Sequence, residues 1–333
     1  MIQEHPFAQF IRIIGKGPQR SRSLTEKEAF EAMNLIMAGA VEPVQLGALL
    51  CLIRVRTETS EEVAGFVRGI RASLPKFPLS TPVDLDWPTY AGKSRQLPWF
   101  LLAALLLAQN GVRVFMHGAD GHTPNRVWAR DVLIHLGLPI ASSMEKAAEH
   151  IATRNFAYVP LESISPRLQA IFSLRELLGV RSPVHTVARQ INPVDAPCQI
   201  LSVIHPPYRA IHRDAARLLG QPRMVVFKGD GGEAERRPVK PLDVASLFDG
   251  ATGEEEWPVL LPESVQPKDQ DMNLERLTAV WRDDGGDPFA ARTITGTLAV
   301  ALRLLGQCRD IAESQAVADD LWAGRNRERI FAA

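Results

Sequence analysis

The sequence is poor in cysteine, in net charge and in long apolar runs. Cys51, Cys198 and Cys308 are the only cysteines, odd in number and far apart. With no CxxC pair and no recognisable signal peptide, they read as reduced thiols in a cytoplasmic protein. The 38 basic and 38 acidic side chains cancel, so no global field draws the chain to nucleic acid, and any such binding needs local patches. The longest apolar run, 97–108, contains Pro98 and is too short to span a bilayer; it reads as a buried helix, and no membrane partner is expected. P-loop spacing, a GxGxxG fingerprint and a GxSxG elbow are all missing, as are repeats, heptads and low-complexity tracts.

What is present describes an ordinary globular protein. Apolar residues make up 46% and charged residues 23% of 333, enough for one large α/β domain and a smaller companion. The first 74 residues read as a helical subdomain. Phe7, Phe10, Ile11 and Ile14 recur at helical spacing until Gly15-Lys16-Gly17-Pro18 breaks the pattern. Thr25 with Glu28 and Thr59 with Glu62 match capping boxes, and Pro43 opens a further helix between them. Pro75, Pro78 and Pro82, with Ser80 and Thr81, mark a linker, so the larger domain is placed at 83–333.

The stretch 111–139 organises that domain. Val112, Val114, Phe115 and Met116 form a short β-prone run, followed by the polar turn His117-Gly118-Ala119-Asp120-Gly121-His122. Asn125 is expected to cap the next helix and Gly137 to end it, which would place an anion pocket at that helix N-terminus. Further strands are expected at 156–159, 198–205 and 224–227, and helices at 142–155 (Ser142 with Glu145 as a capping box), 160–178, 206–219, 273–282, 288–305 and 315–325. The proline-rich stretch 238–270 suggests strands and excursions packed over the sheet. After the strand 224–227, the loop Lys228-Gly229-Asp230-Gly231-Gly232-Glu233 is rich in glycine, as expected where a site is lined at a strand's C-terminal end.

Two basic features stand out. Arg12, Lys16, Arg20 and Arg22 have no acid among them: either a solvated loop or a phosphate-contacting arm. On the helix after Pro206-Pro207, Ile211, Ala215, Leu218 and Leu219 share one side. Arg209, His212, Arg213 and Arg217 share the other, with His205 and Tyr208 at the N-terminal end. That side is a solvated face or a contact stripe for a single strand, with Tyr208 or His212 stacking on a base.

Several motifs, in order, resemble those of the anthranilate phosphoribosyltransferases. Met116-His117-Gly118-Ala119 stands where that family has KHGN, Arg175-Glu176-Leu177-Leu178-Gly179 fits its R-x-x-L-G, and Asn192-Pro193 fits its NP. The stretch from Asp86 to Arg95 lies in the place of its GTGGD loop but keeps a single glycine, Gly92, with Tyr90, Lys93 and Arg95 substituted, so Lys93 and Arg95 are the anion-attracting groups there. The phrases SPVHT, INP and KGDGGEAER look closest to the paralogous YbiB-like branch.

The resemblance implies an α subdomain, completed by helices from about 161–190, beside an α/β domain with a mostly parallel central sheet. It implies a donor pocket around Gly92, His117, Gly118, Arg175 and Gly229 to Gly232, with Glu233 and Glu235 as an approximate Mg²⁺-holding pair. For the branch it implies a homodimer through the helical subdomain and sequence-independent nucleic-acid binding, which needs no cofactor. The sequence therefore supports a nucleic-acid-binding dimer with a degenerate donor pocket. The alternative is an active phosphoribosyl transferase using phosphoribosyl pyrophosphate and Mg²⁺ with an unknown acceptor.

Overall fold

The computed structural model describes residues 4–17, 19–74, 82–265, 267, 271–284 and 286–330. Most of the proline linker, 75–81, and Pro18 of the first break lie outside the described residues. Four helices come first: α1 (Ala8–Gly15), α2 (Glu26–Met37), α3 (Pro43–Arg56) and α4 (Ser60–Ser73). Both capping boxes form: Thr25 and Thr59 each accept the N–H three residues on, and Glu28 and Glu62 return the bond.

The larger unit is built on seven strands: β1 (Leu85–Thr89), β2 (Val114–Gly118), β3 (Phe156–Pro160), β4 (Cys198–Val203), β5 (Arg223–Lys228), β6 (Leu242–Phe248) and β7 (Ala251–Trp257). Their order is β3-β2-β1-β4-β5-β6-β7, parallel through β5 and antiparallel beyond it. This is an α/β fold with a mostly parallel sheet beside a helical subdomain. The chain runs outward from β1 to β3, then returns to place β4 on the other side of β1. That reversal opens a crevice at the C-terminal ends of β1 and β4, where ligands of open α/β sheets bind.

Helices cover both faces. Val114 and Met116 point to the face packed by α5 (Phe100–Gln109), α6 (Ala129–His135), α13 (Glu275–Arg282), α14 (Pro288–Leu305) and α15 (Ile311–Ala323). Phe115 and Val159 point the opposite way, into a core shared with α2, α3, α4, α7 (Met144–Arg154), α8 (Leu161–Ile164), α9 (Pro166–Phe172) and α11 (Val184–Val187). Between them α10 (Arg175–Leu178) forms one exposed turn, and α12 (Tyr208–Leu219) lies against β4 and β5. Among the described residues no helix is long and apolar enough to cross a membrane.

Several expectations need correction. β2 continues through His117 and Gly118, so these are buried strand residues rather than a turn. Asn125 takes φ 56° in a left-handed turn and caps nothing; α6 starts later, after Trp128, and is only seven residues long. The cap position of that helix therefore lies three residues beyond the expected one. Ser143, not Ser142, caps α7. β1 itself was not anticipated, because Pro88 argues against a central strand. Pairing with β4 ends at Asp86, so no ladder bond to β4 is lost at Pro88. Within the 238–270 stretch, residues 242–257 extend the sheet as the β6–β7 hairpin. Its turn, Asp249-Gly250, has both φ angles positive, at 51° and 89°.

Close strand approach leaves no room at the end of β2. A Cβ on Gly118 would lie 1.9 Å from the Thr89 carbonyl oxygen. Gly118→Ala is therefore expected to cost about 3 kcal/mol or more, read as a lower urea midpoint at unchanged m-value. A midpoint within error of wild type would refute this packing.

Candidate functional site

The crevice is walled by the segment leaving β1, the loop leaving β5 and the turn after β4. Beyond Thr89 the chain turns at Gly92, with φ 65° and its Cα against the Trp128 ring, where a Cβ would meet the ring at 2.9 Å. The backbone N–H groups of Ala91 and Gly92 converge there as an anion-binding nest, and the anion they hold is internal. Both donate to Glu233 Oε1, at 2.7 and 2.6 Å. Burial pushes the Glu233 carboxyl up; Arg189 and the two N–H groups oppose it.

Lys93 follows, 1% exposed. Its Nζ donates to Glu235 Oε1 at 2.6 Å, to the Asp230 carboxylate, and to the Asp230 carbonyl at 3.3 Å. Burial works against the ammonium, but Glu235 and Asp230 outweigh it and hold the lysine pKa above its usual value. Glu235 Oε2 accepts the Phe100 N–H at 2.9 Å, giving α5 a cap that its own N-terminal residues do not supply. The loop 229–235 is pinned further. Arg189 and Ser202 donate to the Gly232 carbonyl at 3.0 and 2.7 Å, and Arg126 bridges the carbonyls of Ala91, Gly92 and Gly231.

This geometry decides the fit of a divalent metal. Glu233 and Glu235 do not converge as a ligand pair: one faces the amide nest, the other Lys93 and the α5 N-terminus. Among the described residues no group of three His, Cys, Asp or Glu side chains could hold a metal ion. A hard cation needs several oxygens at fixed short distance, and here an ammonium takes them.

Two cavities meet at Ile204 beyond β4. One, about 590 Å³, is lined by Gly229–Gly232 with Arg126, Arg209, Lys228, Arg237, Lys240 and Asp243. The other, about 100 Å³, lies among Arg54, Arg181, His185, Arg189 and Tyr208. Beside it Phe172 and His185 lie 4.2 Å apart between ring centroids, and His122 contacts Phe172 and Trp128 at 5.1 and 4.7 Å. Among the described residues, Arg54, Arg126, Arg175, Arg181 and Arg189 have no carboxylate within ion-pair distance. Burial and the fields of the other four lower Arg181 to about 10. Confined like charges of this kind mark a place for an anion.

The candidates from sequence fall into three groups. Gly92, Lys93, Arg175 and Gly229 to Gly232 come together around the crevice, although Lys93 is turned inward; Arg95 is exposed. Arg175 donates to the His122 carbonyl and the Thr123 hydroxyl at 2.9 and 2.7 Å. His117 and Gly118 line neither of the two cavities. His117 Nδ1 lies 2.8 Å from the Tyr90 hydroxyl and Nε2 3.3 Å from Asp86, all three buried.

The basic stripe on α12 is not a continuous free face. His212 is buried and bonded to Gln190 at 2.7 Å, so it cannot stack on a base. Arg209 pairs with Asp243 at 3.4 Å and Arg213 with Glu254 at 2.8 Å, leaving Arg217 and His205 exposed. Tyr208 donates to Glu58 at 2.8 Å. In the N-terminal arm Arg12 pairs with Glu4 and Arg22 with Glu28, while Lys16 and Arg20 are exposed. Sequence reading missed Arg54, Arg126, Arg181, Arg189 and Lys228. A signal was available for two: Arg181 and Arg189 flank the SPVHT phrase.

Comparison with known proteins agrees with the fold. Residues 8–74 match the family model described as glycosyl transferase family, helical bundle domain, and residues 100–324 match that family's a/b domain. An anthranilate phosphoribosyltransferase of Geobacillus stearothermophilus is 29% identical over 90% of this chain and 89% of its own. One from Methylocella silvestris is 28% identical over 91% and 83%. Among solved structures, the Thermus thermophilus enzyme superposes with TM-score 0.78 at 23% identity, covering 96% of this chain and 95% of that one. The Saccharomyces cerevisiae enzyme in complex with PRPP and Mg gives 0.76 at 15%, covering 98% and 96%.

The histidines beneath the cavities are held neutral. Burial, then Arg181, lowers His185 to about 3, and burial, then Arg189, lowers His212 to about 3. An unfolded histidine takes its proton near 6.5, so each costs the fold up to ~1.4 kcal/mol per pH unit as pH falls below that value. The ring resonances of His185 and His212 should stay in their neutral positions down to about pH 5 in an NMR titration. Titration of either near pH 6.5 would contradict the placement.

Proposed function

Because the chain belongs to the glycosyl transferase family whose helical-bundle and α/β domains it matches, we propose that its crevice takes a phosphorylated ribosyl ligand and serves glycosyl transfer of the phosphoribosyl type. The observation that carries this reading is the group of five arginines with no carboxylate within ion-pair distance among the described residues, near the strand ends where the sheet order reverses. An incoming anion relieves their repulsion and gains charge-assisted hydrogen bonds. The relatives' activity and the PRPP and Mg of the yeast complex support the class of ligand.

Calorimetry with phosphoribosyl pyrophosphate tests this directly. Wild-type protein should bind it, and Arg181→Ala should weaken binding at least tenfold, about 1.4 kcal/mol. The melting temperature of the variant should stay level or rise, because a like-charge contact is removed. Absence of wild-type binding at about 1 mM ligand, close to a −4 kcal/mol threshold, would reject the reading.

A second reading is a homodimer, which the exposed apolar face of α3 favours, with single-stranded nucleic acid as its ligand. Val44, Ala48, Cys51 and Val55 share one face of α3 at i, i+4, i+7 and i+11. Val44 is 77% and Val55 89% exposed, and Leu177 nearby in the helical layer 83%. A helix apolar on both sides suits a partner chain. Light scattering should then give a dimer, and Val55→Asp should shift it toward monomer. With Arg213 engaged by Glu254, the exposed Arg217 and Lys228 carry any strand contact. Arg217→Ala with Lys228→Ala should reduce the salt slope of single-stranded DNA binding by about one to two units. Wild-type affinity and slope in that variant would remove this reading.

A further inference from the structure

In the chain as folded, both halves of a metal-pyrophosphate site are filled from within. The amide nest at Ala91 and Gly92 already holds a carboxylate, that of Glu233. Asp230 and Glu235 already hold a cation, the ammonium of Lys93. The oxygens around Nζ (two carboxylates and the Asp230 carbonyl) are those a hard divalent ion would take. The ammonium is 1% exposed and therefore fixed in position. Removing it would leave Asp230 and Glu235, the latter with its carboxyl pKa already raised to about 7 by burial, facing each other across a hole that either a shared proton or a metal ion can fill.

We propose that Lys93 is a built-in substitute for a divalent cation, so that this crevice binds phosphate groups without Mg²⁺. The phosphates are instead met by side-chain cations of the rim: Arg126, Lys228 and Arg181. This inference rests on the reading of the crevice as a phosphate site, and only its first clause, the exclusion of metal by Lys93, stands apart from that reading.

The test uses the full chain, inorganic pyrophosphate as probe, and Mn²⁺ or Mg²⁺ at about 5 mM against EDTA. Pyrophosphate affinity of the wild type should change less than about twofold between the buffers. Its melting temperature should not respond to Mn²⁺. Lys93→Ala should melt lower than wild type in EDTA and recover part of the loss in Mn²⁺, because the metal binds where the ammonium was. The double variant Lys93→Met with Glu235→Gln, which removes both charges, should melt alike in the two buffers and serves if Lys93→Ala does not fold. A tenfold gain in wild-type affinity on adding Mg²⁺, a wild-type melting temperature raised by Mn²⁺, or a folded Lys93→Ala blind to metal would each overturn the proposal. If the wild type binds no pyrophosphate in either buffer, the phosphate-site reading fails, and the Mn²⁺ melting response alone decides the role of Lys93.

Discussion

A lysine ammonium with almost no contact with water sets the geometry at the C-terminal ends of these strands. Burying a lone charge costs several kcal/mol unless partners come to it. Asp230 and Glu235 do so from the loop after β5, 137 and 142 residues further along the chain. The same Glu235 caps α5, whose residues from Phe100 to Leu107 are all at most 1% exposed. The exit of β1, the loop of β5 and this deeply buried helix are thus tied through one charged cluster. Glu233 adds a second tie by accepting the Ala91 and Gly92 amides. Loss of any member leaves an unpaired buried charge, so the cluster is held together more by the penalty for breaking it than by its net contribution to stability.

That constraint shapes what the crevice can bind. The Ala91 and Gly92 amides and the Asp230 and Glu235 carboxylates are already engaged, so recognition passes outward to the rim. There Arg181 and Arg189, on either side of α11, and Arg126, in the β2–α6 connection, have no carboxylate within ion-pair distance among the described residues, although Arg189 feels the field of Glu233. On the proposed reading, charge for an anionic ligand comes from long side chains rather than from a nest and a metal. Guanidinium groups suit this because their planar donor forks match phosphate and carboxylate alike.

Much of the fold was legible because its signals are local. The Thr25–Glu28 and Thr59–Glu62 boxes, the apolar run of α5 and the glycine loop after β5 each lie within a few residues. β1 was illegible because Pro88 sits in it, and the β6–β7 hairpin because prolines hid the Asp249-Gly250 turn. Glycine, arginine and acid positions of the site could be marked by motif. Their partners could not: nothing local in Ala91-Gly92-Lys93-Ser94 says that its lysine turns inward to meet a glutamate 142 residues away. Likewise the four-residue spacing of Arg209, Arg213 and Arg217 places them on one helix face but is silent about Asp243 and Glu254, which come from the hairpin beyond.

The central claim is that an internal ammonium takes the place of a divalent ion beside a phosphate-binding rim. Crystals soaked with Mn²⁺ and pyrophosphate, measured for anomalous scattering, test it most directly. The account predicts pyrophosphate against Arg126, Lys228 and Arg181, Lys93 Nζ still between Asp230 and Glu235, and no anomalous peak there. A manganese peak bound by Glu233 or Glu235, with Lys93 displaced, would contradict it.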